Sequence, residues 1–381
     1  MVKQTHSHGL QLQSTMTETG KLELRLVDVE TPEPKDDEVV IRMEAAPINP
    51  SDIRVLFGTA DLSTAQIMET ADGPVMTADI PKAAMGLTIF ADRIGRAWPT
   101  GNEGAGVVVA TGASDAAKAL LGKTVAMIGA PSYAQYRCIP ALQCLVMPEG
   151  VTSAEAASSF VNPLTALGMV ETMRMEGHKA LVHTVGASNL GQMLIKLCQT
   201  ENVELVNIVR KPEQEELLKS LGAKYVCNST APDFAEQLTE ALAATGATLA
   251  FDAIGGGKLA SQILNCMETA ISRTVKSFGA YGTPVHKQVY VYGGLDISPM
   301  VVDRFCGMAW GIGGWLMSYF LEKVGLEKVF QLQQKIAAEI KTTFASHYTR
   351  EIGLREALQP EVIAQYARAA TGEKFLLTPN T

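Results

Sequence analysis

The residues best suited to chemistry form a glycine-bearing turn near the middle of the chain. An apolar run, Ala180–Thr184, leads into Gly186-Ala187-Ser188-Asn189-Leu190-Gly191, and a helical pattern follows. A pyrophosphate needs a tight turn, bare backbone N–H groups and a helix N-terminus, and two glycines at these positions can supply the turn and a close helix–strand contact. The middle glycine of GxGxxG is missing, so a strand-turn-helix without a ligand remains an alternative. A GxSxG nucleophile elbow is disfavoured because Leu190 stands where glycine is required.

A second chemical signal stands at the end of the next apolar run. The run over 204–209 ends at Arg210-Lys211. A carboxylate at this position would bind the ribose 2′-hydroxyl of NAD, whereas an arginine can pair with a 2′-phosphate through charge-assisted hydrogen bonds. Arg210 therefore favours NADP, and a solvated charge pair at a strand end is the alternative.

Composition favours a small-molecule partner. The chain has 381 residues, 32 Lys and Arg against 40 Asp and Glu, a net charge of −8 and 47% hydrophobic residues. This acidic balance argues against nucleic acid or a membrane as the main partner. Six scattered cysteines without a CxxC pair indicate a reducing compartment, and the polar N-terminus lacks the apolar stretch of a signal peptide. We expect a cytoplasmic protein.

The texture of the sequence changes near residue 155. Short β-like runs precede it, and a barrel-like β unit is expected there. Alternating helices and strands follow, which predicts an α/β fold with a parallel, doubly wound Rossmann sheet. Its later strands are expected at 274–278 and 288–291. A short coda from 346 to the end is expected to complete the first domain.

One uncharged segment, Phe305–Leu321, bears on the membrane question. It is shorter than the roughly 20 residues that a spanning helix needs, it carries four glycines, and charged residues flank it on both sides. Two interpretations remain open, the buried helical wall of a pocket or a subunit interface.

The chain also resembles a known family. The stretch LVHTVGASNLGQ, followed by NIVRKPEQEELLKSLGAKYV, looks like the cofactor-binding half of the zinc-independent medium-chain dehydrogenase/reductases. That group includes NADPH:quinone oxidoreductases and 2-enoyl thioester reductases. Four earlier motifs agree in order: PINPSDI from Pro47, GNEGAG from Gly101, AQY from Ala134 and VNPLTA from Val161.

The resemblance implies a GroES-like domain over 1–155 and 346–381, with an insert at 60–100, and a Rossmann domain over 156–345 that binds NADP(H). It also implies a homodimer that pairs through the Rossmann edge strand near Gln288–Val291. By position, Asn49 and Tyr281 are the catalytic candidates, with Tyr281 and Gly282 following the fifth strand. The implied cofactor-binding residues are Asn162, Thr165, Gly186, Ala187, Ser188, Asn189, Leu190, Arg210, Lys211, Tyr225, Ala253, Ile254, Tyr281, Gly282 and Lys374. Among them, Arg210, Lys211 and Tyr225 would surround the 2′-phosphate.

The sequence departs from the zinc-dependent relatives and from the thioester reductases. Where the zinc enzymes carry cysteine and histidine ligands, this chain has Asn49-Pro-Ser-Asp52 and Gly101-Asn-Glu103, so no metal is expected. Thioester reductases resemble NPSDI followed by a Gly-x-Tyr, and Ala60 stands in the tyrosine position here. The insert at 60–100 is either a lid, with Arg93, Arg96 or Trp98 as a replacement contact, or a surface excursion.

Three functions remain open. The first is hydride transfer from NADPH to an apolar quinone or an α,β-unsaturated carbonyl. The second is reduction of a 2-enoyl thioester carried by CoA or an acyl carrier protein. The third, motivated by Ala60, is a cofactor-binding sensor or interaction protein without rapid turnover.

Overall fold

The computed structural model describes residues 8–71, 73–85, 88–275 and 279–381. The chain divides into two compact units, the first formed by Met1–Val161 and Gln333–Thr381 and the second by Asn162–Leu332. The sequence puts these divisions at 155 and 345. The later division has no sequence signal because it falls inside a helix, Met317–Ala338, that runs through it.

Elements are numbered along the whole chain. The strands of the first unit are β1 His8–Met16, β2 Lys21–Glu30, β3 Glu38–Pro47, β4 Asp61–Thr70, β5 Gly73–Asp79, β6 Ala97–Pro99, β7 Glu103–Thr111, β8 Thr124–Ile128, β9 Tyr136–Pro140, β10 Leu145–Val146, β17 Arg350–Ile352 and β18 Phe375–Leu377. Its helices are α1 Pro50–Phe57, α2 Lys82–Met85, α3 Asp115–Lys118, α4 Ser153–Ala156 and α11 Pro360–Tyr366, with 3₁₀ turns at Thr88–Arg93, Ala141–Gln143 and Glu356–Leu358.

Two sheets make up the first unit. One has the order β4-β5-β2-β1-β6, and the other has the order β10-β8-β7-β3-β18-β17, with β9 also paired to β3. Strand β18 pairs antiparallel to β3, with Leu377 opposite Ala46. The C-terminal coda thus adds strands to a sheet of the first unit.

The N-terminal segment is a strand that the sequence interpretation missed. Residues His8–Met16 form β1, and Leu12, Ser14 and Met16 are its buried inward positions. Polar residues lie between these positions, so the composition of the segment resembles that of a chain terminus outside any sheet. The alternation of buried and more exposed residues has a period of two, which is the signature of a half-buried strand.

The insert at 60–100 is built into the first sheet. Strands β4 and β5 form a hairpin, β5 pairs with β2, and β6 pairs with β1. The hairpin carries exposed apolar residues such as Met68, which is 54% exposed. This arrangement fits a surface excursion that extends a sheet, while a lid function stays a prediction.

The second unit is a parallel α/β sheet. Its strands are β11 Ala180–Thr184, β12 Glu204–Val209, β13 Tyr225–Asn228, β14 Leu249–Asp252, β15 Lys287–Val291 and β16 Trp310–Gly314. Its helices are α5 Val161–Met175, α6 Asn189–Thr200, α7 Pro212–Ser220, α8 Phe234–Thr245 and α9 Leu259–Ser272, and α10 is the helix Met317–Ala338. The strand order β13-β12-β11-β14-β15-β16 is that of a doubly wound sheet, as predicted. Successive strands are added on one side of β11 up to β13 and on its other side from β14 onward, so the order reverses between β11 and β14. Ligands of open α/β sheets bind at such a reversal.

The fifth strand of this sheet is β15, which pairs with β14 on one side and β16 on the other. The strand expected at 274–278 is not found in its described part, Thr274 and Val275, and residues 276–278 lie outside the described residues. The expectation that Gln288–Val291 forms the edge is wrong, because β16 covers it. The exposed edge strand on this side is β16.

The segment Phe305–Leu321 is not a buried helical wall. It contains β16 and the start of α10, and Phe305, Met308 and Tyr319 are 82%, 69% and 71% exposed. Within the described ranges, no helix is both long and apolar enough to cross a membrane. An interface remains the open interpretation of this segment.

Candidate functional site

The turn between β11 and α6 has the features of an anion cradle. Ser188 caps α6, and its Oγ accepts a hydrogen bond from the Gly191 N–H at 3.1 Å. A Cβ on Gly191 would lie 2.1 Å from the Gly186 carbonyl oxygen, and a Cβ on Gly186 would lie 3.0 Å from Asn207. A side chain at position 191 would therefore collide with the backbone, and one at position 186 would be tightly packed. The N-terminus of α6 carries the positive end of the helix dipole, which favours an anion beside the turn.

A buried carboxylate fixes the loop after β14 beside this turn. Asp252 accepts hydrogen bonds from the Thr184 hydroxyl at 2.9 Å and from the backbone N–H groups of Ile254 at 3.0 Å and Gly255 at 3.1 Å. The Ala253 N–H donates to the Thr184 Oγ1 at 2.8 Å. The predicted residues Ala253 and Ile254 therefore lie at the carboxyl end of the sheet, next to the strand that leads into Gly186.

Arg210 and Lys211 lie where the sequence predicts, at the carboxyl end of β12. Both side chains are exposed, and the Arg210 N–H donates to the Gln214 Oε1 at 3.2 Å, which links the residue to α7. Two exposed cations at the same end of the sheet as the Gly186 turn can pair with a phosphate.

Tyr225 does not join this group. In the register of β12 with β13, Tyr225 stands opposite Val206, whereas Asn228 stands opposite Val209. Tyr225 therefore lies at the amino end of the sheet, about 13 Å from the strand end that carries Arg210. Its ring packs under the Lys224 ammonium instead, at 5.0 Å. At the other end of β13, the Thr230 hydroxyl donates to the Arg210 carbonyl at 3.3 Å, and the Ser229 N–H donates to the Val209 carbonyl at 2.7 Å.

Tyr281 and Gly282 precede the fifth strand rather than follow it. Tyr281 is 78% exposed, and Gly282 has a φ of 86° and packs against Glu268. The residue that follows β15 is Tyr292, whose N–H donates to the Asp252 carbonyl at 3.0 Å. The expected position after the fifth strand thus belongs to Tyr292, Gly293 and Gly294. Their Tyr-Gly-Gly sequence directly after the apolar run of β15 was the available signal.

Two predicted residues stand at the start of α5. Asn162 and Thr165 are about one turn apart, and the Thr165 hydroxyl donates to the Met317 Sδ at 3.7 Å. Thr165 is buried and Asn162 is half-buried. Both are placed within the second unit together with the Gly186 turn.

In the first unit, Asn49 is fixed by two buried carboxylates. Its Nδ2 donates to the Glu103 Oε1 at 2.8 Å, and its backbone N–H donates to the Asp52 Oδ2 at 2.9 Å. The Asn102 N–H donates to the Asp52 Oδ1 at 2.8 Å. Burial raises the pKa of Asp52 to about 7, against the lowering effect of its backbone donors. The motifs PINPSDI and GNEGAG thus form one hydrogen-bonded cluster.

Lys374 belongs to the same unit. Its Nζ donates to the Ser158 Oγ at 2.8 Å, and the Ser158 Oγ lies 2.9 Å from the Tyr348 hydroxyl. Burial lowers the pKa of Lys374 to about 8, while the charges of Glu103 and Asp52 oppose that shift. A lysine near this pKa changes its charge within reach of physiological pH.

One of the expected replacement contacts from the insert, Arg93, is already engaged within the first unit. Arg93 is buried and donates to the carbonyls of Arg54 at 3.2 Å and Val55 at 2.6 Å and to the Ser14 hydroxyl at 3.2 Å. Its guanidinium also lies 5.6 Å from the centre of the Trp98 ring. This arginine ties the insert to the end of α1, so it is not free for a substrate.

Among the described residues, no three His, Cys, Asp or Glu side chains lie together in a group that could hold a metal ion. The residues at the positions discussed for zinc, Asn49 and Glu103, are hydrogen-bonded to each other.

Comparison with known proteins agrees with the fold and the turn. Residues 190–292 match a family described as zinc-binding dehydrogenase. A Mesorhizobium loti protein assigned as an NADPH:quinone reductase is 26% identical, covers 99% of this chain with 100% of its own, and superposes with a TM-score of 0.70. A Bacillus thuringiensis protein of the same assignment is 21% identical with a TM-score of 0.71, covering 97% of this chain and 99% of its own.

Curated relatives match over shorter regions. The synaptic vesicle membrane protein VAT-1 homolog of Rattus norvegicus is 28% identical over 42% of this chain and 40% of the relative. The mitochondrial enoyl-[acyl-carrier-protein] reductase of Mus musculus is 28% identical over 53% of this chain and 48% of the relative. The chain thus spans about half or less of the length of these relatives. Together with the fold, these likenesses support a relationship of the chain to the zinc-independent medium-chain dehydrogenase/reductase superfamily.

Proposed function

We propose that the protein is an NADPH-dependent oxidoreductase that reduces a quinone or an α,β-unsaturated carbonyl without a metal. The observation that carries this proposal is the anion cradle at Gly186–Gly191 with Arg210 and Lys211 at the end of the neighbouring strand. The turn is tightly packed at Gly186 and Gly191, and two exposed cations stand at the end of the neighbouring strand. Both features fit a dinucleotide that bears an extra phosphate. The Mesorhizobium loti likeness over the whole chain supports the same class.

Each part of the second unit has a role in this proposal. The N-terminal end of α6, with Ser188, Asn189 and Leu190, would lie against the pyrophosphate, which the positive end of the helix dipole attracts. Arg210 and Lys211 would bind the 2′-phosphate through charge-assisted hydrogen bonds. The loop that Asp252 fixes, with Ala253 and Ile254, would line the same end of the sheet. When bound, NADPH supplies a hydride to the electron-poor acceptor.

The first unit holds two further candidate donors of its own. Asn49 presents an amide whose orientation is set by Glu103, and Lys374 offers an ammonium donor. Ala60, which stands where the thioester reductases carry a tyrosine, has no hydroxyl. Polarising the oxygen of the substrate would then require an amide or ammonium donor of this kind.

The test uses purified protein. Titration with NADPH and NADH, followed by intrinsic fluorescence and by thermal denaturation, is expected to show tighter binding of NADPH. Consumption of NADPH is then followed with 1,4-benzoquinone, an apolar enone and crotonyl-CoA. Absence of NADPH binding would overturn the proposal.

Reduction of 2-enoyl thioesters is the second candidate. The match to mitochondrial enoyl-[acyl-carrier-protein] reductase over 53% of this chain favours it, and Ala60 in the tyrosine position argues against it. Faster turnover of crotonyl-CoA than of the quinone and the enone would establish this candidate.

We also propose a homodimer in the cytoplasm. The edge strand β16 has no partner on its outer side within the described residues, and exposed apolar residues, including Phe305 and Met308, stand close to it in sequence. A closed, isologous contact through such an edge is the common solution. The six cysteines are all free, which supports a reducing compartment.

A further inference from the structure

The second unit contains a small cavity where the end of α5 meets β15, the end of β16 and the start of α10. Its volume is about 170 Å³, and none of the residues that line it belongs to the proposed cofactor site. Its first residue on α5 is Thr172, seven positions after Thr165, which is about 10 Å along the helix. Pockets for drug-sized ligands measure roughly 300–1,000 Å³, so this cavity suits a molecule with a single ring.

Aromatic rings form the walls of this cavity, and they belong to Tyr290, Trp315, Tyr319 and Phe320. The ring centres of Trp315 and Phe320 lie 5.9 Å apart, and the Trp315 Nε1 donates to the Thr172 Oγ1 at 3.1 Å, which fixes the indole. Tyr319 is exposed, so the cavity is accessible from solvent on that side. Such rings stack on another aromatic ring, and their faces attract a cation.

A carboxylate, Glu176, lies on one side of the cavity. The Tyr290 hydroxyl donates to its Oε1 at 2.9 Å and to its Oε2 at 3.1 Å, and a carboxylate can accept further hydrogen bonds beyond this one donor. Among the described residues no Lys or Arg pairs with Glu176, and the His178 Nε2 lies 4.0 Å from its Oε2. Burial lowers the pKa of His178, so this imidazole is neutral near pH 7 and leaves the charge of Glu176 uncompensated.

A cation, Lys323 of α10, lines the same cavity. Its side chain is exposed, and within the described ranges it forms no ion pair, with Glu176 or with any other carboxylate. One cavity therefore offers two opposite charges together with aromatic walls. A ligand that satisfies both charges needs an ammonium for Glu176 and a carboxylate for Lys323, and a ring for the space between the aromatic side chains.

We propose that this cavity binds a small aromatic zwitterion, an α-amino acid with a single ring. Its ammonium pairs with Glu176, its carboxylate pairs with Lys323, and its ring packs against Trp315. The site is separate from the proposed cofactor turn, so the inference does not depend on the proposed activity. The competing occupant is a side chain of a second copy of this chain, because exposed Leu316 and Tyr319 stand close to the edge strand β16.

The experiment is a calorimetric titration of the full chain at pH 7, without cofactor, using three ligands that share one ring. L-Phenylalanine carries both charges, phenethylamine lacks the carboxylate and 3-phenylpropionate lacks the ammonium. L-Phenylalanine is expected to bind with a dissociation constant of about 1 mM or lower. Each of the other two is expected to bind about five- to tenfold more weakly, because each loses one charge-assisted contact at a partly exposed site.

Two variants assign the charges to their partners. Glu176→Gln keeps an acceptor for the Tyr290 hydroxyl, and it is expected to weaken L-phenylalanine about five- to tenfold while leaving 3-phenylpropionate unchanged. Lys323→Met is expected to weaken L-phenylalanine to the same extent while leaving phenethylamine unchanged. The matched controls Glu322→Gln and Lys328→Met remove charges of the same helix that do not line the cavity, and they should leave all three ligands unaffected.

The remaining outcomes would overturn the proposal. Equal affinities of the three ligands would show that the two charges do not recognise a zwitterion. Loss of L-phenylalanine binding in the presence of saturating NADP⁺ would place the ligand at the cofactor turn. Absence of binding at millimolar L-phenylalanine would exclude the site, and a tryptophan emission that then changes on dilution of the protein alone would identify a second copy as the occupant.

Discussion

The Nε2 of His183 lies 2.8 Å from the hydroxyl oxygen of Tyr292, and the two rings are stacked with centres 5.8 Å apart. His183 belongs to β11, which leads into the Gly186 turn, and Tyr292 follows β15. His183 is buried and Tyr292 is half-buried, and their contact fixes the segment after the fifth strand to the strand beside the anion cradle. The His183–Tyr292 pair therefore belongs to the framework of the proposed cofactor site.

His183 is expected to make stability depend on acid. Burial lowers its pKa to about 3, whereas the unfolded chain binds a proton near pH 6.5. Between these values only the unfolded state is protonated, so stability falls as pH drops below 6.5. From pH 7 to pH 5 the loss attributable to His183 is about 2 kcal/mol.

Urea denaturation at both pH values measures this loss. His183→Gln keeps a hydrogen-bonding group toward Tyr292 and does not titrate. The variant is expected to lose about 2 kcal/mol less than the unmodified protein over the same interval. Equal losses in the two proteins would show that His183 is not held neutral.

Arg210→Ala is expected to weaken NADPH binding by about 10- to 100-fold, because one charge-assisted contact to the 2′-phosphate is removed. NADH, which lacks that phosphate, should be affected little. Isothermal titration with both nucleotides measures the two constants. Lys224→Ala is a matched control, since it removes a cation from the amino end of the same sheet. Equal losses for NADPH and NADH would contradict the assigned role of Arg210.

Lys287→Met is expected to destabilise the second unit by about 3–5 kcal/mol, because a buried carboxylate is left without its cation. The Lys287 Nζ donates to the Glu268 Oε2 at 2.6 Å and to the Val285 carbonyl at 3.0 Å. Chemical denaturation measures the change. The double variant Lys287→Met with Glu268→Gln removes both charges and should recover part of the loss; no recovery would show that packing, rather than charge, dominates.

Gly314→Asp is expected to convert the proposed dimer into monomers. A Cβ at Gly314 meets no atom within 4 Å, so the change is tolerated within one chain and places a charge on the edge strand β16. Sedimentation velocity at micromolar concentration gives the oligomeric state. Gln66→Asp, on the edge strand β4 of the first unit, is the control and should leave the dimer intact. A dimer that persists in Gly314→Asp would exclude this edge.

Local signals in the sequence were sufficient to predict the Gly186 turn. Gly186, Gly191 and Arg210 follow apolar runs at fixed short spacings, and the structure places them at one end of the sheet. A short β-like coda needs a sheet to join, which led to the prediction that it joins the first domain, but its partner strand β3 was not predicted.

Long-range choices could not be derived from the sequence. The sequence predicts strands at both 274–278 and 288–291, and the pairing with β14 shows that the second of these is the fifth strand of the sheet. The residue that follows the fifth strand is therefore Tyr292 and not Tyr281. In the same way, the hydrogen bond from Asn49 to Glu103 joins residues 54 positions apart, and no spacing rule connects them. The register of β12 with β13 likewise decides that Tyr225 lies far from Arg210.

The most direct test of the proposed function is the consumption of NADPH by the purified protein with an apolar enone or 1,4-benzoquinone as acceptor, beside Arg210→Ala under the same conditions. The expected result is enzyme-dependent oxidation of NADPH that exceeds oxidation of NADH and is strongly reduced in Arg210→Ala at subsaturating cofactor. Tight NADPH binding without reduction of the quinone, the enone or crotonyl-CoA would contradict the account and would favour a cofactor-binding protein without turnover.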